Sequence, residues 1–378
     1  MKVTKFALIA FATTVLTIAA NAQNVRPIFD HANELLKDGH YAAAVEGFRQ
    51  VIEIVPNDPA ANYNIGFCYY RLKQYERAVP ALRNAIQSKP DLVEAHIYLG
   101  NSLDYLGRYT EAITSYEKAA ALSPNNADVF FELGVTHSRQ KNYKAASAAY
   151  ERSLKIDPDH ADAYYDLGIA YLHLNRKDDA IPMFDKAIKN GYTSGDAHYQ
   201  LGKLYVAKKR YSEAIAILRE SAIIRPNHFG SRFHLGVAYN NLDKYPEATA
   251  AFNEAIRIDP TNVDARLNLG NAYFNAGKYA DAATHYKKAA ELSPGSKLAH
   301  NNLGDAYRNA GLYVQALTAY NETLNIDSRD TAAIYGIGAV YIKQMKFDLA
   351  RRQKEKLDSL DPDAAGKLQK KIDSVARR

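Results

Sequence analysis

The stretch Val263–Pro294, VDARLNLGNAYFNAGKYADAATHYKKAAELSP, decides how the chain folds. Leu267, Gly270, Tyr273 and Phe274 fall at helical spacing, and Ala282, Tyr286 and Ala289 do so again beyond Gly277. Apolar residues at such intervals share one face of a helix. Two helices are predicted, with Gly277 permitting the reversal between them. Gly270 and Ala282 carry little or no side chain, so the helices can approach closely there. Tyr273 and Tyr279 are expected to fill the space beside them. Pro294 cannot continue a helix and ends the second one.

The same pattern extends in both directions. Prolines at 56, 90, 124, 158, 226, 260, 294 and 362 are separated by 34 residues or a multiple of 34. Placing each near the end of a unit divides the chain into 25–58, 59–92, 93–126, 127–160, 161–194, 195–228, 229–262, 263–296, 297–330 and 331–364. The eighth position is glycine in every unit but the first, from Gly66 to Gly338, and Ala32 stands there instead. The twentieth is alanine in all ten, from Ala44 to Ala350. A helix pair leaves one face uncovered that the next pair buries, so the 378 residues read as one array rather than as two or three round domains. The first unit reads as an N-terminal cap. The fifth also departs, with Lys177 for an aromatic residue and Tyr192 for proline. Its junction Asn190-Gly191-Tyr192-Thr193-Ser194-Gly195 reads as local variation or as a hinge.

These spaced residues resemble the tetratricopeptide repeat (TPR) family, with its L-G-x2-Y…A-x3-F…P unit, over about Val25 to Ala364. The resemblance implies an all-α fold, a right-handed superhelical α-solenoid of helix–turn–helix repeats. The chain departs at the fourth position, where the family's Trp gives way to Asn62, His96, Phe130, Tyr164, His198, Arg232, Arg266 or His300, and to Ile28 and Ile334 in the end units.

Outside the repeats, residues 1–22 read as a secretory signal peptide. Lys2 and Lys5 precede the uncharged run Phe6–Ala20, and Ala20-Asn21-Ala22 supplies a small-x-small cleavage pattern. Export to a periplasm or the exterior is expected, with an uncleaved N-terminal anchor as the alternative. Residues 365–378 form a basic C-terminal tail that would cap the last apolar face. The net charge of +6 is small and mixed with acids, which argues against nucleic acid. Cys68 is the only cysteine, so no intramolecular disulfide or cysteine metal site can form.

No catalytic constellation emerges. His96, His198 and His300 stand three repeats apart and cannot share an ion. Neither a phosphate-binding glycine loop nor a nucleophile elbow occurs. Glu94, Asp128, Asp162, Asp196 and Asp264 share the second position, where they complement a helix dipole. The chain reads as a non-enzyme without metal, cofactor or small-molecule substrate.

By resemblance, positions two, five, nine, twelve and thirteen of each first helix line a concave groove. At the fifth position Phe29, Tyr63, Phe131, Tyr165, Tyr199, Phe233 and Tyr335 make an aromatic row. At the thirteenth, Lys37, Arg71, Tyr105, Arg139 and His173, with Tyr70 beside them, suit an acidic or aromatic peptide. The later repeats offer amides: Asn240, Asn241, Asn271, Asn275, Asn301 and Asn309, with Asn268 and Asn302 nearby. An amide donates and accepts at once and can satisfy an extended backbone. The ladder resembles the TPR arm of O-linked N-acetylglucosamine transferases. The leading expectation is an exported scaffold for an unidentified peptide or protein partner, peripheral to a membrane only through that partner. The alternatives are an envelope-glycan binder of lectin type and the binding subunit of an enzyme complex.

Overall fold

The computed structural model describes residues 25–376, so the expected leader at 1–22 lies outside the described residues. The chain divides into two compact units between Tyr192 and Thr193, within the glycine-flanked junction of the fifth repeat. Among the described residues every regular element is a helix. The first unit contains α1 (25–37), α2 (Tyr41–Ile54), α3 (Pro59–Arg71), α4 (Tyr75–Ser88), α5 (Val93–Tyr105), α6 (Tyr109–Leu122), α7 (Ala127–Arg139), α8 (Tyr143–Ile156), α9 (Ala161–His173) and α10 (Lys177–Lys189). The second contains α11 (Asp196–Ala207), α12 (Tyr211–Ile224), α13 (Phe229–Asn241), α14 (Tyr245–Ile258), α15 (Val263–Asn275), α16 (Tyr279–Leu292), α17 (Lys297–Asn309), α18 (Tyr313–Ile326), α19 (Thr331–Lys343), α20 (Phe347–Asp358) and α21 (Pro362–Ala376). Odd-numbered helices up to α19 are the first helices of their repeats, and even-numbered ones the second.

Seven of the first helices, α3, α7, α9, α13, α15, α17 and α19, start where a side chain accepts a backbone N–H. The residue at position thirty-four supplies it. Asp58 Oδ1 accepts from Ala61 N–H at 2.7 Å, Asn262 Oδ1 from Ala265 N–H at 2.9 Å and Asp330 Oδ1 from Ala333 N–H at 3.0 Å. Asn126, His160, His228 and Ser296 do the same. Such a cap contributes about 1 kcal/mol. The acidic residues at position two add to the caps already present.

The first helix ends by the same device in all ten repeats. Position fifteen takes a left-handed backbone at Gly39, Lys73, Gly107, Lys141, Asn175, Lys209, Asp243, Gly277, Gly311 and Met345. In the eighth repeat Gly277 N–H reaches the Phe274 carbonyl and Lys278 N–H the Tyr273 carbonyl, each at 2.9 Å. This paired pattern satisfies carbonyls that the helix end would otherwise orphan. Only four of the ten residues are glycine, so the turn is held against the steric cost of a Cβ elsewhere.

The core between paired helices rests on one close approach. A Cβ built on Gly270 would stand 2.5 Å from the Tyr286 ring, and one on Gly134 would stand 2.5 Å from the Tyr150 ring. Gly100, Gly168, Gly236 and Gly304 likewise lie under Tyr116, Phe184, Phe252 and Tyr320. The space was expected to be filled by Tyr273 and Tyr279; the structure assigns it to Tyr286, at position twenty-four. Tyr273 instead stacks on His285 at 5.2 Å, and Tyr279 meets the edge of Phe274 at 5.2 Å. The alanine at position twenty is fully buried in every repeat.

The ends reach the same contact by other means. In the first repeat Ala32 occupies the glycine position, and Gly47 on the second helix supplies the missing room. A Cβ there would stand 2.8 Å from the Ala32 Cβ. In the last repeat Leu368 of α21 covers Gly338, and Ala365, Leu368 and Ile372 are buried together. The residues that replace the family's Trp take a polar role in three repeats. Asn62, His96 and His300 donate to the carbonyls of Pro56, Pro90 and Pro294 at 3.2, 2.9 and 3.0 Å. Each thereby closes the preceding second helix onto the next first helix.

Two expectations follow from this packing. Lys141→Gly relieves a strained, exposed left-handed position and should raise the urea midpoint, by about 1 kcal/mol of stability, with an unchanged transition slope. Ala180→Leu forces extra volume into a site with no accessible surface and should cost about 1–3 kcal/mol. An unchanged urea midpoint for Ala180→Leu would contradict the packing described here.

Candidate functional site

Within each unit the first helices of successive repeats touch one another, α3 with α5, α5 with α7 and α7 with α9 in the first unit, and α11 with α13 and α17 with α19 in the second. Second helices do not approach their counterparts as closely. The first-helix face is therefore the inner side of the curve in each unit. Side chains there interlock in a fixed way. The residue at position six lies over positions five, nine and twelve of the preceding repeat. Tyr98 shows this, with ring centroids 6.1, 4.9 and 5.2 Å from those of Tyr63, Phe67 and Tyr70. Asn64 repeats it by donating to Asn33 Oδ1 at 3.2 Å.

In the first unit this interlock builds a tyrosine wall. Tyr70 continues to Tyr105 at 6.2 Å, and Tyr105 stacks on Tyr75 at 4.6 Å with planes 4° apart. Tyr105 remains 57% exposed, so the wall has a face open to solvent. Burial, with help from the neighbouring phenols and Glu132, pushes the Tyr70 hydroxyl up to about 12, and burial drives Tyr63 upward too. These phenols are neutral donors at physiological pH. Phe67 and Tyr98 belong to the wall although the sequence reading passed over them. Phe67 stands at position nine, one of the groove positions, whereas Tyr98 stands at position six, outside the pattern that the resemblance implies.

The cations expected to attract an acidic peptide are engaged within the chain. The Arg71 guanidinium lies over the Tyr41 ring at 4.8 Å and near Phe67 at 5.7 Å. Arg139 pairs with Asp104 and approaches the Tyr105 ring at 6.0 Å. His173 stacks on Tyr143 at 4.0 Å. Lys37 alone of the four is an exposed charge without a recorded partner. Further rings of the fifth-position row are covered by residues at repeat ends. Phe131 lies against His160 at 4.6 Å, and Tyr165 stacks on Tyr192 at 4.4 Å. The departure of Tyr192 from proline thus has a packing use.

Acids are the less satisfied groups. Glu132 and Asp166 occupy position six of α7 and α9, half-buried, with no hydrogen-bond or ion-pair partner among the described residues. Burial raises both carboxyls, Asp166 to about 6, and the neighbours that add to the shift are themselves acids: Asp128 and Asp166 for Glu132, Asp162 for Asp166. Asp104 is 6% exposed, and its Oδ1 accepts no hydrogen bond.

In the second unit, Tyr199 is covered as Phe131 is, 4.5 Å from His228. Most amides spend a donor nearby. Asn241, Asn268 and Asn309 donate to the carbonyls of Val237, Asp264 and Asp305, four residues back on their own helices. Asn301 donates to Asp330 Oδ1 at 3.1 Å, and Asn302 is half-buried beside it on α17. Asn271 Oδ1 accepts from the Tyr286 hydroxyl at 2.7 Å, which ties it to the core ring over Gly270. Asn275 donates to Asn240 Oδ1 at 3.4 Å, linking adjacent repeats. One bond, Asn275 to Asn240, joins two of the amides, and the others are held by their own helices, by Asp330 or by Tyr286, so only part of their capacity is spent.

Asp166 supplies a test of this electrostatic picture. Its folded-state carboxyl holds a proton more tightly than the ordinary value of 3.8. Stability is therefore lost as pH rises from 3.8 toward about 6, and it stays lost above that window. Asp166→Asn should be more stable than the parent at about pH 7.5, by about 1–2 kcal/mol, and match it at about pH 3.5. Urea melts at both pH values measure the difference. A variant less stable at the higher pH overturns the assignment.

Known proteins place this geometry. A family model described as tetratricopeptide repeat matches residues 131–193, 165–229 and 267–333, and one described as TPR repeat matches 105–141 and 236–277. Together they match more than half of the chain. A model described as anaphase-promoting complex, cyclosome, subunit 3 matches residues 37–119. Among solved structures, the C-terminal part of a TPR repeat-containing protein from Cytophaga hutchinsonii is 21% identical, covering 63% of this chain and 98% of that one at a TM-score of 0.50. YrrB, described as a TPR protein with an unusual peptide-binding site, is 27% identical over 49% of this chain and 95% of its own, at a TM-score of 0.47. Yeast Tom70 is 14% identical over 94% of this chain and 96% of its own, at 0.38. No curated relative matches the sequence. The ten phased helix pairs and the matching family models lead to one conclusion: the chain belongs to the tetratricopeptide repeat family.

Proposed function

We propose that this chain is an exported, non-enzymatic scaffold that holds an extended peptide or protein segment along its first-helix faces. The observation that carries the reading is the state of the amides on α15. Asn271 gives its Oδ1 to Tyr286, and Asn275 gives its Nδ2 to Asn240. The Asn271 Nδ2 donor and the Asn275 Oδ1 acceptor remain, one helical turn apart. A donor and an acceptor at that separation can meet the carbonyl and N–H of a passing backbone. The open face of the tyrosine wall adds flat apolar area with polar tips, which suits side-chain contact.

Other features agree with a binding role. Among the described residues no group of three His, Cys, Asp or Glu side chains comes together as a metal would require. No described helix is long and apolar enough to cross a membrane. The leader pattern of Lys2, Lys5, Phe6–Ala20 and Ala20-Asn21-Ala22 supports export. The exposed face of Tyr105 in the first unit suits stacking on a sugar ring, so a glycan ligand is the competing reading.

Crosslinking in the native envelope, followed by capture with the parent chain and with Asn271→Ala plus Asn275→Ala, tests the proposal. Two lost hydrogen bonds at about 1 kcal/mol each should weaken capture by about tenfold or more. Helix content should not change. Equal capture by the double variant removes the amide pair from the site. Capture that disappears when partners are stripped of glycans transfers the site to a sugar.

A further inference from the structure

The acids of the first unit point to a more specific partner. Glu132 and Asp166 project from adjacent first helices that touch, and packed helices of this kind lie about 8–10 Å apart. Both are removed from water, and neither meets a cation. The nearby groups that sense Glu132 are the phenols of Tyr70, Tyr116 and Tyr150, and Tyr150 senses Asp166 as well. Arg139, a cation that acts on Tyr150, is held by Asp104, whose Oδ1 is itself buried without a donor. Leaving carboxylates desolvated and uncompensated is costly. A structure that keeps two of them side by side on a binding face has room for a positive charge from outside. The tyrosine wall of Tyr70, Tyr98 and Tyr105 lies on the Glu132 side of the pair, where the Tyr70 phenol senses that carboxylate, and aromatic faces attract ammonium and guanidinium groups.

We infer that the first-helix face of the second to fifth repeats binds a basic peptide segment, with a lysine or arginine head between Glu132 and Asp166 of the fourth and fifth repeats and the adjoining stretch along the tyrosine wall of the second and third. The inference rests on the reading that first-helix faces are the docking surface, and it reverses the acidic partner expected from sequence. Charge complementarity here is local. The chain as a whole carries +6, so general attraction would repel a basic segment rather than gather it.

Fluorescence anisotropy with two blocked, labelled peptides decides the matter, one alternating lysine with glycine and one alternating glutamate with glycine. The parent chain should bind the lysine peptide in preference. Glu132→Gln with Asp166→Asn should weaken that binding by about tenfold or more while melting no earlier than the parent. Glu291→Gln with Glu322→Gln makes the same change in net charge on second helices of the other unit and should leave binding intact. Undiminished binding by the Glu132/Asp166 variant, or equal loss in both double variants, overturns the inference. Preference for the glutamate peptide overturns it while keeping the docking face. Binding of neither peptide overturns it together with any charged ligand for that face; the amide pair of α15, tested by its own capture experiment, stands or falls separately.

Discussion

The contact between a glycine at position eight and a ring or leucine at position twenty-four holds the rest in place. It brings the two helices of a repeat close enough for the position-twenty alanine to lose all contact with solvent. Burying one such methyl contributes roughly 0.8 kcal/mol, and the array repeats that gain along its length. The first and last repeats show that the contact matters more than the residue types. Ala32 with Gly47, and Leu368 with Gly338, reach a similar approach by different chemistry. A repeat protein has no distant core to compensate for a poor unit, so each end needs its own local solution.

Because packing between paired helices is carried by these few positions, the first-helix face is released from it. Function can be written there at positions five, six, nine, twelve and thirteen. The two units use that freedom differently. The first gathers tyrosines and leaves acids without cations; the second spreads amides, one of which ties to an amide of the neighbouring repeat and another to a core hydroxyl. The bond from Tyr286 to Asn271 joins the two layers directly, since the ring that covers Gly270 also orients a groove amide. A buried phenol that needs a partner thus fixes a side chain on the proposed docking face.

Much of this was legible without coordinates. The phase of 34, the alanine and glycine positions and the reversal at Gly277 follow from residues that recur because each repeat meets the same steric demand. Some local signals were present but unread. Asp58, Asn126, Asn262, Ser296 and Asp330 stand where helix starts need acceptors, and only after Asn126 and Asn262 does an acid, Asp128 or Asp264, follow two residues later. The left-handed turn at Lys73, Lys141 or Met345 carries no such signal, because nothing in those residue types favours a positive φ.

The chain by itself determined the repeat, the helix pairing and the class of residue at each packing position, since these depend on spacing along one helix or between neighbours in sequence. Which groove side chains are available was decided only in three dimensions. Arg71, Arg139 and His173 read as free cations in sequence, and the fold spends them on Phe67 and Tyr41, on Asp104 and on Tyr143. Nothing in the sequence marks Glu132 and Asp166, and the fold partly desolvates them with no cation opposite among the described residues. Charge in a sequence is a count, whereas its meaning depends on which groups share a few ångströms of low-dielectric space, and residues 34 apart come to share it only when their helices pack.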